Sequence, residues 1–172
     1  MIVFAADAFV EHYVGGAELT TQAIIESALY PSARIVTSNT TVELMKDMKD
    51  SFWIFGNFAD LSNDCMLYAI KNLKYSVLEY DYKYCVYRSP EKHIIADGAC
   101  NCKNSPRGKL VALFLKNAKI NWWMSEKQKE KYQEQYPFLE GKVLSSVFSQ
   151  KTLDLIDEIY TDQKDDKWLI LN

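Results

Sequence analysis

The sequence predicts an α/β fold, a Rossmann-like, doubly wound parallel sheet of about six strands held in a three-layer α/β/α sandwich. Three observations lead there. Short apolar runs alternate with helical patterns of about three turns along the 172-residue chain. The first apolar run passes through a Gly-Gly turn straight into a helical pattern. The apolar share of 48% against 25% charged suits one sizeable core, as a sheet covered on both faces requires.

The opening "MIVFAAD" is an apolar run ended by an acid, which suits a buried parallel strand. "GGAELTTQAIIESALYP" follows as a helix, with Ala17, Ala23, Ile24, Ala28 and Leu29 on its apolar side and Pro31 as its stop. "ARIVTSN" is the second strand, "TTVELMKDMKD" the second helix and "SFWIFG" the third strand. "SNDCMLYAIKNLK" is a helix with Ser62 or Asn63 as its cap, and "YSVLEYD" is the fourth strand. The stretch from Tyr82 to Arg107 has no clear periodicity, and its length marks it as functional or mobile. "GKLVALFLKNAK" returns to helix, "INWWMS" to strand with Trp122 and Trp123 sent to opposite faces, and "SEKQKEKYQEQYP" to a solvated helix. "KVLSSVF" is the sixth strand and "SQKTLDLIDEIYTD" the last helix. The polar run "TDQKDDKWLILN" then leads into a fresh apolar strand. Residues 1–162 thus form one domain, and residues 163–172 read as a linker and the first strand of a second.

Composition narrows the function. The net charge is −3 with cations scattered among acids, so no broad basic face invites nucleic acid. No apolar run approaches the ~20 residues that span a bilayer, and the N-terminus lacks a basic leader, so the expected compartment is cytoplasmic. Cys65, Cys85, Cys100 and Cys102 are too few and too unevenly spaced for a disulfide framework and read as reduced thiols.

Three blocks, "GGAELTTQ" after the first strand, "WWMSEKQKEKY" late in the chain and "KVLSSVFSQKTLDL" beyond it, resemble in order and spacing the N-terminal half of retaining glycosyltransferases of the GT-B fold, family-four type. The resemblance implies an acceptor-binding domain of an enzyme that moves a sugar from a nucleotide-sugar to a glycan, lipid or other acceptor. It also implies a second GT-B domain, on the same or another chain, that holds the donor. No cofactor is then expected in this chain, and by itself it is expected to be inactive. The alternative is a stand-alone, non-catalytic Rossmann-like module that binds a sugar, a phosphorylated ligand or a protein partner. A nucleotide-dependent oxidoreductase is disfavoured, because the first turn lacks G-x-G-x-x-G.

Candidate site residues cluster at expected strand ends. Gly15 and Gly16 permit positive φ and let backbone N–H groups and a helix N-terminus approach an anion, near the donor's diphosphate if the resemblance holds; the plain alternative is a tight turn. Glu18 lies in the first turn of that helix, as a helix-start or anchoring residue or a substrate ligand. Glu11 and His12 precede the turn on the cleft side, within reach of an acceptor hydroxyl. Relatives often carry a His-Asp pair at the end of strand four; here Asp81 matches the acid and Tyr80 stands in the place of the histidine, which weakens an acid/base role. Ser125 and Glu126 end the fifth strand, Ser125 as an N-cap or at the acceptor. Cys85, His93, Cys100 and Cys102 are zinc-type residues, but C-x14-C-x-C lacks the usual C-x2-C knuckle. The expectation is therefore no metal, and a loop clasped by small, partly buried thiols.

Overall fold

The computed structural model describes residues 1–159, so the expected linker and strand at 163–172 lie outside the described residues. Six strands form a single, all-parallel sheet: β1 Ile2–Ala6, β2 Ser32–Val36, β3 Phe52–Phe55, β4 Lys74–Glu79, β5 Asn121–Trp123 and β6 Lys142–Val143. Their spatial order is β2-β1-β3-β4-β5-β6. The helices are α1 Gly16–Glu26, α2 Val42–Asp47, α3 Asn63–Asn72, α4 Pro90–Asp97, α5 Pro106–Asn117, α6 Glu126–Gln135 and α7 Gln150–Ile159.

The layers follow from the direction of travel. From β1 the chain moves outward to β2, then reverses and builds β3 to β6 on the other side. Right-handed crossovers send helices of opposite travel to opposite faces. Alternation along β1 records the result. Val3 and Ala5 join the large core beneath α2, α3, α5 and α6, with Met45, Met66, Val111 and Tyr132. Phe4 and Ala6 join a smaller core under α1, with Phe9 and Ile25. The expected three-layer sandwich is what the chain adopts.

Side chains cap most of the helices. Thr41, Ser62, Ser89, Ser105 and Ser125 each accept from the backbone N–H three residues on, satisfying one of the amides a helix start leaves free. Ser62 thus takes the cap position in α3, and Ser125 takes it in α6.

Four elements differ from expectation. α1 ends at Glu26, five residues before Pro31, leaving Leu29 and Tyr30 exposed. β5 and β6 are shorter than their apolar runs: β5 pairs with β4 only over Asn121–Trp123, and β6 pairs only with Trp122 and Trp123. The stretch from Tyr82 to Arg107, without periodicity in the sequence, contains α4, which starts with Ser89 as cap and Pro90 in its first turn and ends at Gly98. Gly98 has φ +80°, the left-handed conformation that closes a helix and turns the chain.

Candidate functional site

Open α/β sheets bind ligands at the carboxyl ends of their strands, at the point where strand order reverses. Here that point lies between β1 and β3. Asp7, just past β1, bolts the region together: its carboxylate accepts from the Thr37 hydroxyl after β2 and from the backbone N–H groups of Ala59 (2.9 Å) and Asp60 (3.1 Å) after β3. The residues that follow, up to Gly15, carry the chain over this end of the sheet to α1.

The start of α1 departs from the other helix starts. Gly15 is its N-cap and supplies no side-chain acceptor. Neither Gly15 nor Gly16 has positive φ: Gly15 is extended (φ −136°, ψ 176°) and Gly16 is the first helical residue. The conformational argument for these glycines therefore gives way to one of space. A Cβ on Gly15 would come within 2.7 Å of the Glu18 carboxylate and of the Tyr13 ring. A Cβ on Gly16 would meet nothing within 4 Å. Glu18 is 95% buried, yet its carboxylate oxygens are not among the fully buried polar atoms left without a partner; one of them lies beside Gly15. His12 and Glu11 are exposed on the approach; Glu11 is ion-paired with Arg34 and is thereby turned towards β2.

Under α1 the floor of the site is a hydroxyl pair. Tyr80, just past β4, lies 2.7 Å from the Thr21 hydroxyl of α1, above Gly56 at the end of β3. Burial holds the Tyr80 phenol well above the ordinary tyrosine range, so it serves as a neutral hydrogen-bonding group.

Asp81 is fully engaged. One carboxylate oxygen pairs with Lys83 and the other takes the Arg88 Nε at 2.5 Å, while its carbonyl accepts from Gln128 of α6 at 3.3 Å. Its geometry is that of an anchor for the following loop. Ser125 is exposed at the end of β5, occupied as the α6 cap, and Glu126 is exposed beside it.

A buried ion network sits beneath and was not signalled by any local motif. Glu79, the last residue of β4, is 0% exposed and lies 3.7 Å from the equally buried Lys83 ammonium. Burial pushes the Glu79 carboxyl up to about 7, against the opposing pull of Lys83. Lys83, Arg88 and Arg107, with Tyr84 and Cys85, line a small cavity of about 160 Å³ near the same strand ends. A larger cavity of about 640 Å³ lies at the other end of the sheet, around the first residues of β5 and β6, away from the strand ends where this fold class binds ligands.

The loop after β4 gathers the four zinc-type residues that sequence spacing had left apart. Cys85, His93, Cys100 and Cys102 present ligand atoms that all lie within 4.8 Å of one another. The His93 Nδ1 stands 3.4 Å from the Cys85 Sγ and 3.3 Å from the Cys102 Sγ, and the Cys85 and Cys100 sulfurs are 3.7 Å apart. All four cysteines of the chain are free thiols. Burial, with the neighbouring thiols, pushes the Cys85 thiol up to about 11.

No family model, curated protein or solved structure matches the chain. Among the described residues, no helix is long and apolar enough to cross a membrane.

Proposed function

We propose that this chain is the acceptor-side half of a nucleotide-sugar-dependent glycosyltransferase, contributing one wall of an interdomain cleft and inactive without the donor-binding half. The observation that carries the reading is Gly16. It sits at the first turn of α1 without positive φ and with open space where a Cβ would stand, so the fold itself has no steric need of glycine there. A bare backbone at a helix start suits a group that must come close, and the uncapped N–H groups and helix dipole favour an anion such as a diphosphate.

Glu18 completes the arrangement from the chain's side. Its carboxylate lies beside Gly15 at the helix start, where it can accept from a sugar hydroxyl. In this reading the amides of Gly16 and Ala17 stabilise the charge that develops on the leaving diphosphate, while Glu18 orients a hydroxyl. Asp81 and Tyr80 hold the cleft floor through their hydrogen bonds.

Titration of the isotopically labelled chain with uridine diphosphate tests this. The expected result is amide shift changes centred on Gly16, Ala17 and Glu18. Absence of any response there, with binding elsewhere, overturns the assignment. Response to free sugars but not to the diphosphate favours the stand-alone binding module instead, and sugar transfer by this chain alone overturns the half-enzyme reading.

A further inference from the structure

The geometry points to a structural zinc site in the loop after β4, with Cys85, Cys100 and Cys102 as thiolate ligands and His93 as the fourth through Nδ1. Zinc bonds of ~2.3 Å to sulfur and ~2.0 Å to nitrogen set tetrahedral edges of about 3.8 Å between sulfurs and about 3.6 Å between sulfur and nitrogen. The spacings of 3.7 Å for Cys85 to Cys100, 3.4 Å for Cys85 to His93 and 3.3 Å for Cys102 to His93 lie close to those edges. Three thiolates and an imidazole form a closed donor set typical of a structural site, with no position left for water.

The histidine is oriented as a ligand should be. With Nδ1 directed at the thiols, Nε2 stands 3.1 Å from the Asp97 carboxylate one helical turn on, an arrangement that fixes ring and tautomer. The Tyr87 ring packs on the imidazole at 4.7 Å between centroids, and its hydroxyl reaches the same Asp97 at 3.4 Å.

A second, independent observation is that α4 has no apolar anchor, and its ion pair to α6, Glu91 with Lys131, joins two partly exposed side chains. None of its residues is buried, and Ile95 is 85% exposed. A helix of eight residues is marginal in water without packing, so something other than an apolar face must hold it. His93 is its link to the ligand cluster, and Gly98 turns the chain so that Cys100 and Cys102 come back under it. Gly108 admits the returning chain, since a Cβ there would stand 2.1 Å from the Cys102 carbonyl oxygen. Metal binding would replace three thiol protons, which pass to solvent, and would tie the end of β4, α4 and the start of α5 into one unit beside the Lys83, Arg88 and Arg107 cavity. The site stands apart from the glycosyltransferase reading and survives its failure.

The test is elemental analysis of the full chain, purified without a metal-affinity tag, with cobalt substitution and thiol labelling as second readouts. About one zinc per chain is expected, with thiolate-to-cobalt charge-transfer bands when cobalt replaces it. Cys85, Cys100 and Cys102 should resist labelling until a chelator is added, and proteolysis between Tyr82 and Arg107 should quicken at the same moment. Asp97→Asn should weaken zinc about 10- to 100-fold, and Cys102→Ser should abolish stoichiometric binding, whereas Cys65→Ala, outside the cluster, should leave it unchanged. Should Cys102→Ser fail to fold, cobalt titration of the native chain decides alone. A metal-free chain whose thiol labelling and proteolysis ignore added zinc, a Cys85–Cys100 disulfide in a non-reducing map, or iron in place of zinc each overturns the proposal.

Discussion

Thr21 and Tyr80 meet hydroxyl to hydroxyl at 2.7 Å, tying the first helix to the end of the fourth strand across the point where the sheet reverses. Losing either partner leaves the other without its bond in a largely dry setting. Tyr80→Phe and Thr21→Val are each expected to cost about 1 kcal/mol, read from urea unfolding midpoints. The double variant should lose clearly less than the two single losses combined, because both remove the same bond. Strict additivity would show that the contact contributes nothing.

The Glu79 carboxyl gives the fold a pH dependence of definite sign. Its ordinary value is 4.5, and burial raises it to about 7 in the folded chain. Between those values the folded chain keeps a proton that the unfolded chain has released, so stability from this group is present below the ordinary value and falls as pH rises towards about 7. Unfolding free energy measured across that window should decline for the native chain and flatten in Glu79→Gln. Lys83 keeps Asp81 as its partner in that variant, so no buried cation is stranded. An unchanged slope in the variant would assign the dependence to another group.

Much of the architecture was legible because it is written locally. The alternation of Val3 and Ala5 with Phe4 and Ala6 assigns β1 to two cores at once, and Ser62 and Ser125 announce the helices they cap. α4 carries its end signals in the sequence, Ser89 as cap, Pro90 in the first turn and Gly98 as a left-handed stop, but the segment between them offers no apolar stripe because it buries nothing. What sequence spacing hides is convergence. Cys85 and Cys102 are brought together by a helix and two turns, and Glu79 meets Lys83 because the chain curls back past the strand end. The positions of Gly15 and Gly16 were legible, though positive φ was not the reason for them.

Gly108 lies inside a helix, where alanine is ordinarily preferred, yet a Cβ there would overlap the Cys102 carbonyl oxygen at 2.1 Å. Since that contact is backbone, no rotamer relieves it, and the loop must move. Gly108→Ala is expected to lose about 1–3 kcal/mol and to expose the Cys102 thiol to labelling. Unchanged thiol reactivity would mean that the loop absorbs the strain without moving the cysteine.

Gly16 reverses that logic, and the two glycines together separate fold from function. It adopts helical backbone, and a Cβ on it would touch nothing within 4 Å. Alanine restricts the unfolded chain and suits a helix better, so Gly16→Ala should stabilise the protein by up to about 1 kcal/mol. The same methyl would stand over the uncapped amides of α1, where the proposed diphosphate must approach. Response of the Ala17 and Glu18 amides to uridine diphosphate should therefore weaken in a variant whose melting temperature rises. A variant that gains stability and keeps the full ligand response would show that Gly16 is not kept bare for a ligand, and would move the search to the Lys83, Arg88 and Arg107 cavity.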